Sequence, residues 1–316
     1  MVMGQKQASS LRFAFLAASI LALAAPPARA DPPPPDHLAP PRADAPAQPC
    51  SSYWRWLFPG LGTICVGQTA EGALLAGGAA VELGASIATR GHPVPVAMFV
   101  ETYVYGLLAP TFELDRAAGV PFTPPERTGD LLAAPFRPSV LGRTDVWAAI
   151  LVSASVGITA SRLSGLMEDN RRDDPIVFGR ELEPEVGYPL AGAALSGLHL
   201  HVAISEESLF RGYLQSSLAR RFGEWQGWGM ASLAFGASHA VNLATVPSDK
   251  RALYAAGFLP VATAAGFYLG HLYRRTGYSL SAPVAVHFWN NVLTSAAQFV
   301  LDPEQSPITA SIALPF

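Results

Sequence analysis

Residues 205–215 read SEESLFRGYLQ, with two adjacent carboxylates and an arginine inside an otherwise apolar run. An ionisable group near the centre of a bilayer costs about 2.5–3.5 kcal/mol on insertion scales, so charges kept there have a use. The rest of the chain decides whether the run is a membrane segment. Half of the 316 residues are hydrophobic, only 14% are charged, and the mean hydropathy is +0.26. That is too apolar for an ordinary soluble domain and too punctuated for disorder. The sequence therefore reads as a polytopic membrane protein, and the charged stretch as a polar site inside it. A net charge of -3 leaves no basic surface for nucleic acid.

Working outward, apolar windows recur at 58–88, 94–112, 146–160, 189–209, 228–246, 253–272 and 279–301. A helix needs roughly 20 apolar residues to cross a bilayer. In lipid every backbone polar group must be paired within the segment, so the windows predict helices, and no strand pattern competes. The expected fold is all-α, a bundle of about seven transmembrane helices. Residues 113–143 hold too many prolines and charges to span. Residues 167–185, with seven acids and three arginines, form the most polar loop. Arginine and lysine pairs fall on opposite sides if every window crosses once, so no orientation follows.

The N-terminus has the pattern of an export signal. Lys6 and Arg12 precede an apolar stretch at 13–25, and Ala28-Arg29-Ala30 supplies the small residues at a cleavage site. The alternative is an uncleaved signal anchor. Residues 31–49 carry eight prolines and read as an extended linker. The expected organisation is a signal at 1–30, the linker at 31–49, an N-terminal membrane region of unassigned role at 50–186, a core at 187–301 and a tail at 302–316. Cys50 and Cys65 are the only cysteines. They can form a disulfide on the oxidising side or remain two thiols.

Three pairs of side chains share a helix face at i,i+4 spacing: Glu207 with Arg211, Phe235 with His239, and His287 with Asn291. Together they supply what hydrolysis of an amide by water needs. One carboxylate acts as general base, an imidazole holds the water, and a second imidazole with a carboxamide donates to the developing oxyanion. Each pair also has a bland reading. Glu207 with Arg211 can be a structural ion pair, His239 an interhelical hydrogen-bonding group beside small residues, and Asn291 a packing residue. His199 and His201 lie two apart and point to different faces. Glu82 and Glu101, in the two early windows, read as structural partners of charges elsewhere or as cavity lining. Gly266 and Gly270 form a GxxxG that permits close helix contact. Other intramembrane protease signatures, HExxH, GxGD and GxSG, are absent.

The three motifs in this order, EExxxR at 206–211, FxxxH at 235–239 and HxxxN at 287–291, resemble those of the CPBP family. This family comprises type II CAAX prenyl endopeptidases and bacteriocin-processing or immunity membrane proteins, also called ABI. EESLFRGYLQ is similar to its first motif, and LGHLYRRTGYSLSAPVAVHFWNN to the stretch leading into its last. The resemblance covers about a third of the chain. It implies an intramembrane endopeptidase in which Glu206 activates water, His239 positions it, and His287 with Asn291 stabilises the oxyanion, while Glu207 and Arg211 support Glu206. It also implies integral membrane localisation, with lipids and a peptide or membrane-protein substrate as partners. No cofactor is required by these residues, although a Glu and His cluster can hold zinc. The alternative is a noncatalytic family member acting as immunity factor or scaffold. A proton-coupled transporter is the third reading. The signal with its Ala-x-Ala site points to a bacterial inner membrane, where prenylated CAAX substrates are not expected.

Overall fold

The computed structural model describes residues 54–309, apart from 164–166, 172–173, 245, 247, 304–305 and 307. The expected signal, the proline linker and Cys50 lie outside the described residues, and no described cysteine is a free thiol.

The chain is helical, as its composition requires, but the window at 58–88 is not one helix. Gly60 and Gly67 adopt left-handed conformations, φ 86° and 88°, and break it into short helices at Trp54–Leu57 and Leu61–Cys65 before helix α1, Thr69–Ala88. Gly60 tolerates this φ because it lacks a Cβ, which would also stand 2.1 Å from the Gly72 carbonyl oxygen. Helix α2, Pro93–Ala117, starts on a proline that needs no hydrogen-bond acceptor at its first position. It runs five residues past its apolar window because Glu113 and Arg116 pair at i,i+3 across its last turn.

Helices α3, Thr144–Leu163, and α4, Pro184–Glu207, follow. Between them Ile176–Val177 and Arg180–Glu181 form a two-residue antiparallel hairpin, a strand pairing the sequence did not disclose. Phe178 and Gly179 at its tip both have positive φ, the geometry of a tight hairpin turn. The chain leaves α4 through a π-helical segment, Ser208–Gln215, into α5, Ser216–Phe222. Helix α6, Glu224–Ser238, continues as a 3-10 turn, His239–Ala244, and is followed by α7, Arg251–Arg275, and α8, Ser281–Leu301.

Helix α4 is central, packed between α2 and α8, while α3 covers the far side of α8 and α6 lies along α7 and the π segment. One core joins Tyr105 and Ala109 of α2, Ala203 and Ile204 of α4, and Val284 and Phe288 of α8. A second joins Leu108 and Phe112 of α2 to Leu209 and Phe210 of the π segment and Phe235 of α6. The N-terminal helices are therefore part of the wall around α4.

Among the described residues three helices have the length and apolarity to cross a membrane: α2, α3 and α7. Only 17% of the apolar window of α3 and 22% of that of α7 is buried. Such continuous apolar surface has no place in water and makes this an integral membrane protein. The other windows do not qualify by themselves. Helix α6, at 15 residues, is about 22 Å long, shorter than a hydrocarbon core of about 30 Å.

Candidate active site

The two glutamates of the SEESLFRGYLQ stretch close α4, and their surroundings differ. Glu207 is completely buried. Its Oε1 accepts from Arg211 Nη1 at 2.8 Å and sits 2.7 Å from His287 Nδ1, which therefore carries the proton of that bond. One carboxylate oxygen thus ties the helix end, the π segment and α8 together through two charge-assisted hydrogen bonds.

Arg211 is held on two further sides. Its Nη2 donates to the Gly266 carbonyl at 3.2 Å, and its guanidinium carbon stands 4.2 Å from the centroid of the Phe235 ring. A planar cation on an aromatic face is favourable, more so when both are shielded from water. The π segment bonds i to i+5 and is one residue wider per turn than an α-helix, a form that recurs at functional sites. Here it presents Arg211 to α6 and α7 together.

Close approach of α7 depends on the GxxxG glycines. A Cβ on Gly266 would stand 2.8 Å from the Ser232 carbonyl oxygen, and one on Gly270 would stand 2.7 Å from Gln215 Oε1. Both positions need glycine for the contact anticipated from the spacing.

Glu206 faces a different environment. It is 9% exposed, its Oε2 lies 3.8 Å from His287 Nε2, and that oxygen has no hydrogen-bond partner. At 3.8 Å the imidazole is beside the carboxylate without being bonded to it. Glu206 is thus a buried carboxylate left with unused acceptor capacity, next to a ring whose other nitrogen is fixed by Glu207.

His239 ends α6. Its Nδ1 lies 2.8 Å from the Phe235 carbonyl oxygen, so Nδ1 bears a hydrogen, and in the neutral ring Nε2 carries the lone pair. Phe235 stands between the two histidines, with ring centroids 4.8 Å from His239 and 6.1 Å from His287. This phenylalanine, read from sequence as the partner of His239, contacts Arg211 and His287 as well. Asn291 follows His287 by one turn of α8. Its Oδ1 accepts from Asn290 Nδ2 at 3.1 Å, which leaves the N–H donors as its other polar edge.

The structure accordingly joins Glu207, Arg211 and His287 by direct bonds, places Glu206 against His287, and sets His239 on the opposite side of Phe235. His199 is elsewhere, its Nε2 2.7 Å from Ser295 Oγ. His201 faces α1, where it pairs with Glu82.

Two contributors escaped the sequence reading. Ser205 Oγ donates to Glu101 Oε2 at 2.5 Å, bringing an acid of α2 beside the residue that precedes Glu206. Glu126, a buried acid in the loop before α3, accepts from the Ser281 backbone N–H at 3.1 Å and from the hydroxyls of Ser281 and Ser279. It caps the N-terminus of α8, the helix that carries His287. Neither partnership leaves a local signal, because the partners are more than a hundred residues apart.

Zinc would need several donors converging on one point. His287 Nδ1 and His239 Nδ1 are both committed to protein acceptors. Among the described residues no three or more His, Cys, Asp or Glu side chains are grouped to hold a metal ion. Each histidine ring keeps its Nε2 for the site.

Residues 190–293 match the family described as Rce1-like, type II CAAX prenyl endopeptidase. No curated protein and no solved structure matches the chain. The matched segment contains Glu206, Glu207, Arg211, His239, His287 and Asn291, all within about a third of the sequence. Over this segment the chain is similar to the Rce1-like type II CAAX prenyl endopeptidases, in agreement with the resemblance of its three motifs to the CPBP family.

Proposed function

We propose that the protein is an intramembrane endopeptidase that uses Glu206 as its general base. The observation that carries this reading is the asymmetry between the two glutamates. Oε2 of each carboxylate is buried without a hydrogen-bond partner, but Glu207 Oε1 is bonded to both Arg211 and His287, whereas no described residue donates to the Glu206 carboxylate, whose Oε2 lies 3.8 Å from His287 Nε2. Each unsatisfied buried acceptor costs about 1–3 kcal/mol; for Glu207 the ion pair with Arg211 and the bond to His287 offset it, whereas nothing bonded to Glu206 does.

In this mechanism Glu206 removes a proton from a water as the water oxygen attacks the scissile carbonyl carbon. The lone pair of His239 Nε2 accepts the second hydrogen of that water and orients it. The carbonyl electrons move onto oxygen, where His287 and the amide N–H of Asn291 donate hydrogen bonds to the oxyanion. Glu207 accepts from His287 Nδ1 and so holds the ring, which donates to the oxyanion from Nε2–H as an imidazolium. The proton on Glu206 then passes to the leaving nitrogen as the C–N bond breaks, which regenerates the carboxylate.

The same reading takes in an exported N-terminus with a proline-rich linker, seven crossings in all, and residence in a bacterial inner membrane among lipids. A bacterial peptide precursor or a membrane-protein segment fits as substrate better than a prenylated CAAX protein.

The test is cleavage of a quenched fluorescent peptide library by the full chain in detergent. Glu206→Gln should reduce turnover by at least a factor of about 10²–10⁴, the range for loss of a general base. Its melting temperature should equal or exceed that of the wild type, because a buried charge with an unfilled oxygen is removed. A chelator should leave the rate unchanged. Cleavage that survives Glu206→Gln would overturn the assignment, and no cleavage by the wild type would favour an immunity or scaffold role.

A further inference from the structure

Beside the candidate active site lies a second polar cluster, walled by α1, α2 and α4. A partly open cavity of about 110 Å³ there is lined at one end by Glu82, Glu101, Thr102 and His201. Leu75, Leu132 and Ile204 form its apolar flank. Glu206, Glu207 and His287 do not line it.

The protons at its polar end can be counted. His201 Nδ1 lies 2.6 Å from the Gly197 carbonyl oxygen and so bears a hydrogen, while Nε2 lies 2.8 Å from Glu82 Oε1. One proton is shared between that nitrogen and that carboxylate, which makes the pair neutral overall. The same Glu82 oxygen accepts from Thr102 Oγ1 at 2.9 Å. Glu82 Oε2, in a residue only 5% exposed, has no hydrogen-bond partner. Glu101 adds a second buried carboxylate, bonded to Ser205 Oγ. The cluster thus offers the unfilled acceptor of Glu82 Oε2 and a second carboxyl group at Glu101, next to an apolar space.

We propose that this cavity binds a primary ammonium group on a short apolar stem, as a lysine side chain of the peptide substrate presents. The lysine assignment rests on the endopeptidase reading, whereas binding of the amine does not. A bound monocation would hold Glu101 as its carboxylate, and its three N–H donors match the oxygens offered by Glu82, Glu101 and Thr102. A carboxylate or phosphate would be repelled. Size selects within the cations. An apolar cavity of about 150 Å³ holds benzene, six heavy atoms. The space here suits the five heavy atoms of an aminobutyl group, the lysine side chain, better than the seven of an arginine side chain. Position gives it meaning for cleavage. Ile204 lines the cavity, Ser205 bonds Glu101, and Glu206 is the next residue of α4, so a lysine held here lies alongside the general base.

The binding test uses n-butylamine, with 1-butanol, butyrate and sodium ions as controls, and follows melting of the detergent-solubilised full chain. The wild type should show a saturable stabilisation by butylamine alone. Glu82→Gln should weaken it by about tenfold or more, as expected when a charge-assisted partner is lost. Gly78→Leu is the second variant, because it keeps both acids. A Cβ on Gly78 meets nothing closer than Glu82 Oε1 at 3.9 Å, so the new side chain fills the cavity without a backbone clash. Butylamine stabilisation should vanish in this variant. Equal stabilisation by butanol or sodium ions, or persistence in Gly78→Leu, would overturn the site.

The substrate test compares matched peptides with lysine or norleucine near the scissile bond. Wild type should cut the lysine peptide faster, and Gly78→Leu should lose that preference. Equal rates in the wild type would overturn the lysine assignment while leaving the endopeptidase standing. Amine binding without any cleavage would do the reverse.

Discussion

At the scale of the residue, the buried trio of Glu207, Arg211 and His287 holds the site together, and its members are not interchangeable. Arg211 is 1% exposed and uses both terminal nitrogens, one on Glu207 and one on the Gly266 carbonyl. Arg211→Ala would leave a buried carboxylate with only His287, and breaking a buried pair from one side costs about 3–5 kcal/mol. We expect a large fall in melting temperature in detergent and little folded protein. Arg211→Lys keeps the charge but cannot form the fork, so its melting temperature should lie between that variant and the wild type. A lysine variant as stable as the wild type would show that the Gly266 contact contributes nothing. These charges were legible because a carboxylate or guanidinium in an apolar run is conspicuous. Glu101, Glu82 and His201 were visible as buried polar residues, but their pairing across 20 to 120 positions has no periodicity to betray it.

At the scale of the element, the site depends on where three helices end and begin. Helix α6 delivers His239 at its C-terminus, and its approach to α7 is set at Gly236. A Cβ there would stand 1.9 Å from Thr263 Oγ1 and 2.8 Å from the Thr263 Cα. Gly236→Ala must therefore push the helices apart, at a cost of about 1–3 kcal/mol for an overpacked contact. Adding Thr263→Ala removes the hydroxyl but not the backbone clash, so denaturation midpoints should show partial and not full recovery. Full recovery would place the clash in the side chain alone. The start of α8 is set by Glu126, and Glu126→Ala should lower stability by about 1–2 kcal/mol as a cap is lost. Helix identity was readable from apolar windows, whereas these boundaries were not. The π segment has the same residue types as an α-helix and differs only in hydrogen-bond register over eight residues. Glycines at 60 and 67 split the first window because left-handed backbone, invisible in a hydropathy profile, interrupts it.

At the scale of the whole molecule, the polar site and the membrane make opposite demands, and the chain meets them by layering. Helix α4, which carries the glutamates, is enclosed by α2 and α8, while α3 and α7 turn apolar faces outward. The count of seven crossings came from treating every apolar window as an independent span. Among the described residues three helices meet the requirement of length and apolarity unaided, whereas those lined with site residues are too polar or too short to meet it alone. If the outward faces meet lipid, residues that the isolated chain exposes should be shielded in a bilayer. Val152, on α3, is 63% exposed, and Asp169 belongs to the polar loop between α3 and α4. In proteoliposomes made permeable on both sides, Val152→Cys should react with a charged maleimide far more slowly than Asp169→Cys, with the unsubstituted chain as blank. A hydrocarbon environment denies both the reagent and the thiolate it needs, so the difference should exceed about tenfold. Val152→Cys labelled as fast as Asp169→Cys would place α3 in water and leave α4 and α8 without a lipid-facing shield.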